Sequence, residues 1–118
     1  MPNLHPPLFL RLYLSETEML GPGKAALLDG IARTGSISAA GRELGMSYKR
    51  AWMLVEAMNS MFHTPLVSSA RGGPGGGGAE LTATGQHVLT LFRDIEDAAQ
   101  TVNADRIAAL HRLRKTTG

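Results

Sequence analysis

The sequence contains no cysteine. Disulfides and thiolate metal sites are therefore excluded, and the cytoplasm is the setting to expect. No apolar run approaches the ~20 residues that a membrane-spanning helix needs. The opening "MPNLHPPLFL" has neither the basic start nor the long apolar stretch of a secretory signal. Strong net charge is lacking as well. Twelve Lys and Arg against ten Asp and Glu leave +2 over 118 residues, so electrostatics alone do not announce a nucleic-acid partner. His5, His63, His87 and His111 are scattered without ligand spacing and read as surface residues. No serine, histidine and acid grouping points to catalysis. Neither a metal nor a cofactor is expected.

What is present is ordinary for a folded protein, with 43% hydrophobic and 19% charged residues. The length fits one domain with a modest core. Charge placement is more informative than its sum. Acids gather at Asp94, Glu96 and Asp97, and Arg106, Arg112, Arg114 and Lys115 form a basic C-terminal tail. Lys49, Arg50 and Arg71 stand near a single acid, Glu56, so the middle of the chain is locally basic.

Periodicity predicts the elements. Residues 1–7 hold three prolines and read as irregular, whereas "LFLRLYLS" (8–15) interleaves Arg11 and Tyr13 with apolar residues at period two and reads as a short strand. "LGPGK" (20–24) is a turn, and Pro22 suits a helix start. A helix over 24–33 places Ala26, Leu27, Leu28 and Ile31 near one face, and Gly35 ends it. Ser36 or Ser38 caps a second helix whose buried face is Ile37, Ala40 and Leu44, and Gly45 closes it. Ser47 caps a third, reaching about Phe62, with Ala51, Val55, Met58 and Phe62 inward.

After Pro65, "LVSS" (66–69) and "AELT" (79–82) read as strands flanking the tip "RGGPGGGG" (71–78). Thr82 or Thr84 caps a long final helix whose apolar stripe runs through Val88, Leu91, Phe92, Ile95, Ala98, Ala99 and Val102. The fold class is mainly α with a small β-wing: a winged helix-turn-helix with a long C-terminal dimerisation helix. Residues 1–19 form an N-terminal extension, 20–83 the winged helix-turn-helix, and 84–118 the long helix and basic tail.

The segment 35–59 carries the functional argument. Ala39, Ala40 and Gly41 let two helices cross closely, Gly45 permits the tight turn, and Ser47 starts a helix whose first turn is free to enter a major groove. With Ala51, Val55 and Met58 inward, Lys49, Met53, Glu56 and Ser60 face nearly opposite. Lys49 and Arg50 suit base edges or phosphates; the bland alternative is that both are solvated charges. Tyr48 and Trp52 suit phosphate, sugar or a thymine methyl, and Trp52 suits the core equally well. The glycine run fails as a phosphate loop, because no Gly-Lys-Ser/Thr follows. As a hairpin tip it approaches DNA closely, with Arg71 at its base; the alternative is a loop without a partner. The expected DNA-facing set is Ser36, Ser47, Tyr48, Lys49, Arg50, Trp52, Met53, Arg71, Gly75 and Gly76. The long stripe exceeds what three short helices cover, which predicts a homodimer through Val88, Leu91, Phe92, Ile95, Ala99 and Val102.

"LGPGK", "TGSISAA", "LGMSYKRAW", "EAMN" and "GGPGGGGAELTATG" together resemble the N-terminal DNA-binding domain of molybdate-responsive ModE-type transcriptional regulators, and more distantly the LysR-type winged helix. The resemblance covers about residues 20–95. It implies a dimeric regulator that reads a palindromic operator, with Ser47, Tyr48, Lys49 and Trp52 on the recognition helix and 72–78 as the wing. Full-length members carry a molybdate-binding region after the long helix. The sequence stops at Gly118, so no molybdate response is expected of it.

Double-stranded DNA and a second copy of the chain are thus the expected partners, with no membrane. The rival reading is a protein-interaction adaptor that keeps the fold without DNA binding, favoured by the low net charge and by Glu56 on the outward face. An enzyme is a distant third.

Overall fold

The computed structural model describes residues 8–70 and 78–115. Among them are five helices and two antiparallel two-stranded sheets. The strand expected over 8–15 is shorter: β1 is Leu12–Tyr13, and it pairs with β2, Met19–Leu20, in the register Leu12↔Leu20. The alternation at 8–15 has a partner only where the chain doubles back. Ser15 Oγ accepts from the backbone N–H groups of Thr17 and Glu18 and closes that turn.

Helix α1 is Pro22–Thr34 and starts earlier than the spacing of its apolar residues predicts. Proline at its first position lacks only an N–H that would have no helical partner there. Leu27, Leu28 and Ile31 are buried, together with Ala25 rather than Ala26. Gly35 ends the helix at φ 70°, where a side chain would be strained, and its N–H donates to the Ile31 carbonyl. Helix α2 is Ile37–Glu43, capped by Ser36, whose Oγ accepts from Ala39 N–H at 3.0 Å. Leu44 lies beyond the helix and is exposed, a correction to its expected place on the buried face. Gly45, at φ 73°, turns the chain into α3, Tyr48–Met61.

The three helices cross closely because their contacts are made of small residues. A Cβ on Gly30 would lie 2.9 Å from the Ala40 Cβ, and one on Gly41 would lie 2.8 Å from the Ala51 Cβ. The core beneath is Leu27, Leu28, Ile31, Val55, Met58 and Leu66. Each such side chain, fully buried, contributes ~1.5–3 kcal/mol.

Strands β3 (Val67–Ala70) and β4 (Gly78–Leu81) form the wing, paired from Val67↔Leu81 to Ala70↔Gly78. Its base is tied down twice. Asn59 Oδ1 accepts from the N–H groups of Leu66 and Val67 at 2.8 and 3.0 Å, and its Nδ2 donates to the Val67 carbonyl. The Ala79 N–H donates to the Gly35 carbonyl, joining β4 to the turn between α1 and α2.

Helix α4, Ala83–Val102, is capped by Thr82, whose Oγ1 accepts from Gly85 N–H and donates to the Pro65 carbonyl at 2.7 Å. Residues beyond 102 are not simply a tail. Asn103 interrupts the helix, its Nδ2 donating to the Ala99 carbonyl, and α5 follows over Ala104–Leu113. Asp105 in the first turn of α5 and His111 and Arg112 in its last suit the helix dipole.

Candidate nucleic-acid interface

Ser47 Oγ accepts from Arg50 N–H at 3.1 Å and holds the first turn of α3 in place. From this start, Ala51, Val55 and Met58 turn inward and leave the opposite face open. Tyr48, Trp52 and Met53 are 57%, 46% and 56% exposed, and Lys49, Arg50 and Glu56 are exposed beside them. The alternative of Trp52 as a core residue is therefore closed. An aromatic pair at i and i+4 and two cations occupy the first two turns of one helix. Neither Lys49 nor Arg50 pairs with a carboxylate among the described residues.

Ser36 is half-buried and its hydroxyl is occupied in capping α2. Arg71, Gly75 and Gly76 lie outside the described residues. The wing strands that lead toward them are anchored to the helix-turn-helix through Asn59 and Gly35, as described above.

The structure also brings together residues that sequence reading did not group. A cleft of about 750 Å³ opens between the residues before β1, the start of α1 and the flank of α3. Arg11, Lys24 and Arg50 line it over a floor that includes Phe9, Met19, Met46 and Leu54. Lys24 Nζ donates to the Met19 carbonyl at 2.7 Å, and partial burial pushes its ammonium pKa down. Positions 11, 24 and 50 share no spacing, so no local signal could have grouped them.

On α4, the stripe proposed for dimerisation divides in two. Phe92 is 3% exposed and packs with Leu20 and Ala25 inside its own chain, which removes it from the outward set. Leu91, Ile95 and Val102 are exposed, whereas Val88 and Ala99 are half-buried. Glu96, which the sequence groups with Asp94 and Asp97, is buried and receives Arg93 Nη1 at 2.8 Å. A shallow apolar groove runs along this face between Leu12 and Leu14 of the hairpin and Leu91 and Ile95 of α4.

Two closely crossed helices, an exposed third-helix face and an anchored wing define a winged helix-turn-helix of the DNA-binding regulatory class. The model of the bacterial regulatory helix-turn-helix proteins of the lysR family matches residues 24–86, and the chain belongs to that family. The family is one of regulators, not enzymes. Among characterised relatives, the molybdenum-pterin-binding protein MopB of Rhodobacter capsulatus is 51% identical over 77 residues, covering 65% of this chain and 28% of that protein. The molybdenum-pterin-binding protein MopA of the same organism is 42% identical over 89 residues, 75% of this chain and 34% of its own. The DNA-binding transcriptional dual regulator ModE of Escherichia coli K12 is 41% identical over 85 residues, 72% of this chain and 32% of its own. The resemblance to ModE-type regulators is thus upheld across the winged helix. The chain spans about a third of the length of these relatives.

Proposed function

We propose that the chain binds double-stranded DNA sequence-specifically as a homodimer and regulates transcription in the cytoplasm. Helix α3 enters the major groove at each half of a palindromic operator. The observation that carries this reading is the open face of α3, where Tyr48, Trp52 and Met53 stand exposed beside Lys49 and Arg50. Large apolar groups left in water on the first turns of such a helix fit sugar edges and thymine methyls. The two cations fit guanine or phosphate. Arg71, Gly75 and Gly76 reach the backbone or minor groove from the wing, and Ser36 and Ser47 set the helix starts against phosphates.

The second copy packs on the outward side of α4, through Leu91, Ile95 and Val102 with the edges of Val88 and Ala99. Exposed apolar side chains in a row along one helix are the surface that a twofold partner would cover. The names of the relatives support molybdenum-related genes as the regulated class. Residues 1–118 respond to no molybdate directly: the basic residues from Arg106 onward lie on exposed, screened surface, which attracts anions only weakly and does not distinguish molybdate from sulfate.

Selection of bound sequences from random duplex DNA tests the reading. A symmetric site is expected, with half-sites about 10–10.5 base pairs apart or a multiple of that. Lys49→Ala and Arg50→Ala should each weaken binding to it by ~1–3 kcal/mol where they read a base. Failure to enrich any sequence, with the protein folded, would leave the adaptor reading in its place. Repeating the binding assay with molybdate and with sulfate at equal ionic strength should give one curve.

A further inference from the structure

We propose that the cleft lined by Arg11, Lys24 and Arg50 is a second DNA contact, which grips the phosphate backbone alongside the groove that α3 enters. This rests on the DNA-binding reading above and extends the contact from the flank of α3 at Arg50 to Arg11 and Lys24, which that reading does not use.

Three cations from three separate parts of the chain line this cleft, and among the described residues no carboxylate lines it. In a chain of net charge +2 that is a pronounced concentration of one sign. Three other arginines are held by internal partners, Arg33 by Asp29 and Glu43, Arg93 by Glu96 and Arg106 by Asn103, whereas Arg42, Arg112 and Arg114 stand apart from the cleft. Arg11 and Arg50 have no carboxylate partner among the described residues, and Lys24 uses one donor on the Met19 carbonyl, leaving two. Helix α1 opens beside them with no acidic residue in its first turn and no side-chain cap, which adds to the positive potential. An anion is the ligand that such a lining recognises.

The anion is placed by continuity. Arg50 and Leu54 line the cleft from the flank of α3, one residue from the outward Lys49 and Met53. A strand bordering the major groove that receives α3 therefore runs across the cleft mouth. Arg11 and Lys24 meet its phosphates, and Met19 and Leu54 meet sugar edges. Inorganic phosphate shares this chemistry, and the experiment separates the two sources.

Affinity for the selected operator and for an unrelated duplex of equal length should be measured from 50 to 200 mM KCl, for the wild type, Arg11→Gln, Lys24→Gln and the double variant. Arg11 is exposed, so its replacement spares the fold, and circular dichroism checks this for Lys24→Gln. Each single change should lower the slope of log affinity on log salt by about 0.9 per bound chain. It should also weaken operator and unrelated duplex alike, by about tenfold per contact at low salt. Folded variants that keep the wild-type slope while Lys49→Ala loses the operator would overturn the cleft contact and leave the recognition reading intact. A wild-type chain that binds no duplex would overturn both. Inorganic phosphate that binds the free wild type but not the double variant, while both give the same salt slope for DNA, would make the cleft a free-anion site and overturn the proposal.

Discussion

Gly85 sits where α4 begins, against the Leu66 carbonyl oxygen, and a Cβ there would run directly into that oxygen and the Leu66 backbone. The conflict is with main chain, which cannot step aside as a flexible side chain would. Gly85→Ala should therefore destabilise the fold by ~1–3 kcal/mol or more, read as a lower midpoint in urea or thermal unfolding. Asn59 is a second critical residue. It accepts from two backbone N–H groups and donates to one carbonyl at the start of the wing. Asn59→Ala leaves those groups without protein partners and should cost ~1–3 kcal/mol for each that remains buried from water. Amide exchange at Leu66 and Val67 should accelerate ahead of the rest of the chain; unchanged protection there would show that the clamp is dispensable. Both residues fall in segments that sequence patterning had assigned correctly, yet neither stood out. Their importance comes from what faces them, and that information is tertiary.

Among elements, α1 and α2 are joined by Arg33, which contacts Asp29 within its helix and Glu43 across the crossing at 2.8 Å. The Arg33 guanidinium holds the Glu43 carboxyl below its ordinary value of 4.5. A depressed carboxylate pKa stabilises the fold above the unfolded value, and the contribution fades as pH falls through the folded one. The pair is exposed, so the effect on stability is small and screened. The direct expectation is spectroscopic: Arg33→Ala should raise the NMR titration midpoint of Glu43 toward 4.5, and an unmoved midpoint would discount the pair. Helix α4 gives a sharper test. Ile95 is 43% exposed in the single chain, so Ile95→Lys should leave the chain folded. In an apolar seam between copies the same lysine would be an unpaired charge costing several kcal/mol, ~3 or more. Sedimentation should then show monomers and operator affinity should fall by at least about tenfold, whereas a dimeric and fully active variant would move the interface elsewhere.

At the scale of the whole molecule, charge placement matters more than charge total. A net +2 gives little general attraction for DNA, but Arg11, Lys24, Lys49 and Arg50 share one region of the surface. If three cleft cations in each of two chains meet phosphates, six counterions are released, and affinity should fall roughly a thousandfold between 50 and 200 mM salt. A nearly flat salt dependence would mean that contacts to bases dominate and the cleft is idle.

Local chemistry decided much of this protein without help. The cap at Ser47, the left-handed glycines at 35 and 45, and the inward face of Ala51, Val55 and Met58 depend on neighbours within about one helical turn, while the structure chose Ser36 over Ser38 and Thr82 over Thr84 as caps. Such signals survive in one dimension, and with them came the winged helix and the open face of α3. The tertiary structure decided what depends on distant partners. It cut the first strand to the two residues that find a mate at Met19–Leu20, and it drew Phe92 into the core by placing Leu20 and Ala25 opposite. It buried Glu96, which charge placement had only grouped with Asp94 and Asp97, and exposed Trp52, which periodicity left open. It also gathered Arg11, Lys24 and Arg50 around one cleft. Periodicity reports which way a side chain points from its own helix, but only the packing of other elements determines whether anything waits there.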